Sequence, residues 1–118
     1  MADLAPGGDE YAQFRITFFE ECTELLADLE QRLDQMQSNV AQAEELNAVF
    51  RAVHSIKAGA GAFKFVQLVE FCHSFEAVLD KLRSGRIAQD DRISAVLVRA
   101  SDVLAALVEA AQANRTVA

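Results

Sequence analysis

The sequence predicts an all-α protein, an antiparallel up-and-down four-helix bundle with room for a short C-terminal helical extension. Three observations carry that expectation. Apolar residues recur at steps of three and four in four separate stretches, the period of helices that bury one face. Turn-forming residues are scarce. Pro6, Gly7 and Gly8 cluster near the start, which leaves only Gly59, Gly61 and Gly85 for the rest of the chain, and an all-β fold needs many more. Finally, 52% of the 118 residues are apolar, enough to fill the core of one domain in a chain too short for two.

Residues 1–8 read as a flexible lead-in. A first helix is expected from about Asp9 to Gln37, with Phe14, Phe18, Cys22, Leu25, Leu26, Leu29, Leu33 and Met36 as its buried stripe and Ser38-Asn39 as the break after it. The second runs from about Gln42 to Gly59. Leu46, Val49, Phe50, Val53 and Ile56 trace its inner face, and Gly59 and Gly61 are read as its stop. The third runs from about Phe65 to Ser84, with Leu68, Cys72, Phe75, Leu79 and Leu82 alternating by four and three. Lys81 and Arg83 suit the negative end of its dipole, and Gly85 reads as its cap. The fourth starts near Asp90 or Asp91, whose carboxylates can accept from its first amides. Ile93, Val96, Leu97, Ala100, Val103, Leu104 and Leu107 form its stripe. The bundle is expected over 9–113, and residues 114–118 read as the start of a linker with more protein beyond.

Charge and composition remove several classes of function. The net charge is −7, and it is uneven: residues 1–50 hold eleven acids against two bases, the remainder seven against nine. No surface so acidic proposes nucleic acid as a partner. No apolar run approaches the roughly 18 residues of a membrane span, and no charged lead followed by an apolar segment suggests export. Cys22 and Cys72 sit inside helical patterns without metal-ligand spacing, which fits a reduced, cytoplasmic setting better than a disulfide framework.

Candidate chemistry gathers around the two histidines. His54 directly follows the core residue Val53, at the edge of the buried stripe, and Lys57 lies three residues on along the same side. Ala58 to Ala62 are all alanine or glycine, which leaves a shallow surface that another protein can approach. Glu76 follows Phe75 as His54 follows Val53, and His73 lies three residues before Glu76 on the same face. If the second and third helices pack antiparallel, Glu76 can meet His54 across the seam. A carboxylate accepting from Nδ1–H would fix the tautomer and leave Nε2 as the free lone pair. Taken singly, each of these residues reads equally as an ordinary core-edge or solvated helix position.

The stretch FRAVHSIKAGAGAFKF, from Phe50 to Phe65, resembles the phosphotransfer motif of histidine phosphotransfer (HPt) domains, and more narrowly the N-terminal phosphotransfer domains of chemotaxis histidine kinases. FFEECTELLADLEQRL before it and HSFEAVLDKLRSG after it extend the resemblance over about residues 9–110. The resemblance implies that His54 is the phosphoacceptor, that Lys57 lies beside the phosphoryl group, that Glu76 hydrogen-bonds and orients His54, and that His73 is a second histidine near the site. It implies a partner surface of Ile56, Ala58, Gly61, Lys64 and Phe65. The partners implied are receiver domains of CheY-like and CheB-like response regulators and the ATP-binding domain of a histidine kinase, on the same polypeptide or another. Two positions depart from the pattern: Ala58 and Lys64 stand where glycine is usual or common. Lys64 adds positive charge beside the site, which should help encounter with an acidic receiver pocket.

The chain has no G-x-x-x-x-G-K-[ST] loop, Gly-rich lid or acidic magnesium cluster. It is therefore not expected to phosphorylate itself or to bind a cofactor. ATP and magnesium would come with the kinase domain, and magnesium with the receiver. Two other readings stay open on sequence alone: a bundle that only binds other proteins, and a metal-binding bundle built on Glu70-x-x-His73, a pattern that appears once where a di-iron bundle needs two.

Overall fold

A computed structural model of the chain describes residues 8–37 and 42–115. Four helices account for nearly all of them: α1 (Asp9–Gln37), α2 (Gln42–Ala62), α3 (Val66–Arg83) and α4 (Asp91–Gln112). α1 packs on α2 and α4, and α3 packs on α2 and α4. The result is the expected bundle, a square array 52 × 27 × 20 Å in extent. The lead-in read over 1–8 and the linker read from 114 lie outside the described residues except for Gly8, Asn114 and Arg115, as does the Ser38-Asn39 break.

The core is a column of side chains from all four helices, including Leu29, Val49, Val53, Ile56, Leu68, Leu79, Leu97 and Leu104, each at most 1% exposed. The α3 stripe is buried as expected. The α1 and α4 stripes are buried as read at Phe18, Cys22, Leu29, Leu33, Met36, Leu97, Leu104 and Leu107, and differ at their margins. On α1, Phe14 is exposed and Phe19 is buried instead. On α4, Val96 and Val103 are exposed while Ser101, Val108 and Ala110 are buried. Phe14, Val96 and Val103 lie at the margins of those stripes, where spacing alone does not separate a buried position from an exposed one.

Helix ends show how the chain turns. Asp90 caps α4, its side chain accepting from the Ile93 amide at 2.9 Å. Lys81 and Arg83 lie in the last turn of α3, and Gly85 with φ +77° closes that helix. The Gly85 and Arg86 amides donate to the Leu82 and Lys81 carbonyls, the paired bonds of a Schellman cap.

The expected stop of α2 at Gly59 is corrected: α2 continues through Gly59 and Gly61 to Ala62. Gly59 serves a close approach, since a Cβ there would overlap Cδ1 and Cε1 of Phe18 on α1. The cap comes three residues later and is built on Lys64, with φ +62°. The Lys64 and Phe65 amides donate to the Gly61 and Ala60 carbonyls at 3.1 and 2.9 Å, again a Schellman pair. Phe63 and Phe65, on either side of Lys64, both pack on Phe18, with ring centroids 5.5 and 6.1 Å away. That aromatic anchorage holds a non-glycine residue in the left-handed region, which costs an L-residue roughly 1–2 kcal/mol. Lys64→Gly is therefore expected to stabilise the fold by about 1 kcal/mol, read as a higher melting temperature in thermal denaturation.

Candidate functional site

The site forms where α2 and α3 run side by side. Val53 and Phe75 are buried, 0% and 3% exposed, and each directs its successor to the margin of the seam. His54 follows Val53 and Glu76 follows Phe75, so the two meet. His54 Nδ1 lies 2.7 Å from Glu76 Oε2. Lys57, one helical turn beyond His54, places Nζ 2.6 Å from the other oxygen, Oε1. One carboxylate thus joins both side chains of α2 to α3.

Exposure divides the roles. The Glu76 side chain is 11% exposed and that of His54 is 59%. Burial pushes the Glu76 carboxyl up, but the hydrogen bonds from Lys57 and His54, with their charges, outweigh it and hold the group below the usual carboxylate range. An ionised carboxylate only accepts, so the hydrogen in this bond belongs to Nδ1 of His54, and the neutral ring then carries its lone pair on Nε2. Nε2 makes no hydrogen bond among the described residues, and the ring stands at the surface. The arrangement presents a fixed nucleophilic nitrogen to anything that docks on α2.

The other expected site residues divide three ways. His54, Ala58 and Gly61 sit at steps of four and three on α2 and are all exposed, and Lys64 is exposed beyond them. Ile56 is corrected: it is 0% exposed, in the core two residues past His54 on the opposite side of the helix, and cannot touch a partner. Phe65 is half-buried, with its ring against Phe18, Phe19 and Phe63, so it anchors the turn. His73 is exposed on α3 and makes no hydrogen bond or ion pair among the described residues. No three His, Cys, Asp or Glu side chains come together there as metal ligands, so Glu70-x-x-His73 stays a lone pair. Among the described residues, no helix is long and apolar enough to cross a membrane.

The family model described as "Hpt domain" matches residues 13–114. The chain belongs to the Hpt domain family. Relatives of this Hpt domain include the chemotaxis protein CheA of Rhizobium meliloti, 50% identical over 95 residues, and that of Cereibacter sphaeroides, 45% identical over 106. The matches cover 80% and 87% of this chain but only 12% and 16% of those proteins, so the chain spans a small part of their length. Among solved structures it is similar to the CheA phosphotransferase domain from Thermotoga maritima. The TM-score is 0.74 at 28% identity, covering 82% of this chain and 92% of that one. The phosphorylated P1 domain of CheA3, solved in complex with CheY6 from R. sphaeroides, shares the fold. Its TM-score is 0.80 at 24% identity, covering 89% of this chain and 83% of that one.

The structure also adds contacts to the site that spacing along the chain did not assign to it. Phe50, one turn before His54, lies nearly parallel to the imidazole, with centroids 6.2 Å apart and 7° between planes. Arg83, from the end of α3, sits over Phe50. The four-residue step from Phe50 to His54 was visible in the sequence; the reach of Arg83 from another helix was not.

Glu76 links the site to stability. Its folded carboxyl titrates below its ordinary value of 4.5, so its contribution is present above about pH 4.5 and is lost as pH falls through the folded value. Thermal melts from pH 7 to 3 should show the parent losing stability faster below pH 4.5 than Glu76→Gln does. At pH 7, Glu76→Gln should cost about 1–2 kcal/mol, the scale of a hydrogen bond to a charged group. Parallel pH curves for the two proteins would place the carboxylate outside the network.

Proposed function

We propose that this Hpt domain is the phosphohistidine carrier of a chemotaxis two-component relay in the cytoplasm. It accepts a phosphoryl group on His54 from the ATP-dependent domain of a histidine kinase and passes it to an aspartate of CheY-like and CheB-like receiver domains. The observation that carries this reading is His54 itself: Nδ1 is held by a buried carboxylate while Nε2 faces solvent. The names of its relatives, chemotaxis protein CheA, support the choice of relay. The free buried thiols of Cys22 and Cys72, both pushed up to about 12 by burial, suit a reducing compartment.

The chemistry needs little from the chain beyond placement. The Nε2 lone pair attacks the γ-phosphorus of ATP held by the kinase domain, the N–P bond forms, and the bond to the ADP oxygen breaks. The Nδ1 proton stays in place, and Glu76 balances the positive charge that develops on the ring. Lys57 spends one N–H on Glu76 and has two more to turn toward the phosphoryl oxygens, where compensating charge assists transfer. The receiver carboxylate then attacks phosphorus and the N–P bond breaks, returning neutral imidazole as the leaving group. Magnesium and nucleotide belong to the partners at both steps. The exposed row of His54, Ala58 and Gly61 lets a receiver approach closely, and Lys64 adds an attractive charge at its end.

Incubation with a CheA-type kinase domain and radiolabelled ATP tests the reading. The expected product is one phosphoryl group per chain, labile to acid and stable to base, that moves to an added CheY-like receiver. A base-labile label, or a label that no receiver removes, would overturn it.

A further inference from the structure

His54 is held by a hydrogen bond and by a ring contact. A single bond from Nδ1 to Glu76 fixes one end of the ring, but it lets the plane rock about the line joining the two atoms. Nε2 lies at the far side of the imidazole, so rocking swings its lone pair through the arc from which phosphorus must be approached. Phe50 occupies the position that restrains this motion. Its ring lies one helical turn away on the same face of α2, 7° from parallel and with 6.2 Å between centroids, within the offset-parallel range of aromatic pairs.

Phe50 is in turn pinned from the other helix. The Arg83 guanidinium carbon lies 3.9 Å from the Phe50 centroid, inside cation–π distance. That guanidinium is itself fixed by two partners, donating to Asn47 Oδ1 of α2 and to Asp80 Oδ1 of α3, each at 3.1 Å. Three side chains therefore form a chain of contacts from the end of α3 to the reactive ring: Arg83, Phe50 and His54. Glu76 reaches that ring from the middle of the same helix. The imidazole is held along its edge by an anion and across its plane by an aromatic plate.

We propose that Phe50 and Arg83 are positioning residues for phosphoryl transfer, Phe50 by fixing the plane of the His54 imidazole and Arg83 by holding Phe50. Neither touches the reacting atoms. The proposal rests on the reading of His54 as the phosphoryl acceptor, and it makes the contact of the C-terminal end of α3 with α2 part of the site. It also ranks substitutions by shape: a flat ring at position 50 matters more than its apolar volume.

The test compares Phe50→Leu, Phe50→Tyr, Arg83→Gln and the double variant Phe50→Leu/Arg83→Gln. Each is followed by the rate of phosphorylation by a CheA-type kinase domain with ATP and magnesium, and by NMR of ¹⁵N,¹³C-labelled histidine. Phe50→Leu keeps apolar volume but removes the plane, and should slow phosphorylation about tenfold, within the range that small misplacements of a reacting group produce. Phe50→Tyr should restore the rate to within about twofold, a difference below 0.5 kcal/mol in the barrier. Arg83→Gln should fall between. The double variant should be no slower than Phe50→Leu alone, because Arg83 acts through Phe50. In the NMR spectra the His54 ring should lose order in Phe50→Leu and keep it in Phe50→Tyr.

A Phe50→Leu protein with the parent rate and an equally ordered ring overturns the proposal. So does a double variant in which the two losses add in full. Should Phe50→Leu melt below the assay temperature, Arg83→Gln decides by the same two readouts. If the parent chain takes no label at all, the phosphoryl-carrier reading fails, while the ring-order comparison still decides whether Phe50 and Arg83 hold the imidazole.

Discussion

Replacing His54 with glutamine should abolish phosphoryl acceptance and leave the bundle almost unchanged. The two halves of that expectation have separate causes. An amide nitrogen has no basic lone pair, so no nucleophile stands at the position of Nε2, and neighbouring groups cannot take over. Lys57 is engaged with Glu76, the thiols of Cys22 and Cys72 are buried, and His73 lacks a carboxylate partner among the described residues to fix its tautomer. Stability should change little, because the His54 side chain is 59% exposed and fills no core volume. A glutamine amide can still donate to Glu76, so the net cost should stay below about 1 kcal/mol, the range of surface substitutions that leave no buried group unpaired. Label counted after exposure to kinase and ATP, beside a thermal melt of the same preparation, checks both halves. Label retained in the variant moves the acceptor to another residue, and His73 would be the first to replace next.

This separability follows from how the site is assembled, and it explains why so much of the site could be read in advance. His54 and Glu76 each stand one residue past a core position, Val53 and Phe75. When two helices pack through those core positions, their successors must emerge on the same seam. That inference needs only periodicity, which the sequence displays, and antiparallel packing, which the short connection between the two helices leads one to expect. Rotation about a helix axis is harder to read. Phe14 and Val96 have the right spacing and the right chemistry for a core, yet both are exposed, about half their surface facing solvent. Each lies at the margin of its stripe, where a small turn about the helix axis decides which large side chain is buried. Ile56 shows the converse limit. The helical period places it on the inner face, and the partner role taken from the resemblance conflicts with that period: two residues past His54 is more than half a turn, and the side chain points into the core. Contacts that depend on the offset between helices, such as Arg83 over Phe50 or Arg15 donating to the Ala111 and Gln112 carbonyls at the end of α4, leave no signal in spacing.

The glycines of α2 give the second large effect, and here one substitution should act in opposite directions two residues apart. Glycine inside a helix costs about 0.5–1 kcal/mol relative to alanine, so Gly→Ala stabilises wherever a methyl group fits. At Gly61 nothing lies within 4 Å of the added carbon and the residue is exposed; Gly61→Ala should raise stability by about that amount. At Gly59 the added carbon overlaps the ring of Phe18. That ring is 6% exposed and packed against Phe19, Phe63 and Phe65, so it cannot swing aside as the end of a flexible side chain would. α1 and α2 must separate instead, and overpacking of this kind costs about 1–3 kcal/mol, which outweighs the helical gain. Gly59→Ala should therefore lower the melting temperature while Gly61→Ala raises it. Chemical denaturation of the two variants and the parent measures the difference directly. Stabilisation by both would mean that Phe18 yields, and that the close contact between α1 and α2 is not what the glycine at position 59 provides. The expected result gives the run of small residues after His54 two faces: Gly59 sets the spacing of the helices beneath the site, and Gly61 with Ala58 keeps the surface above it low.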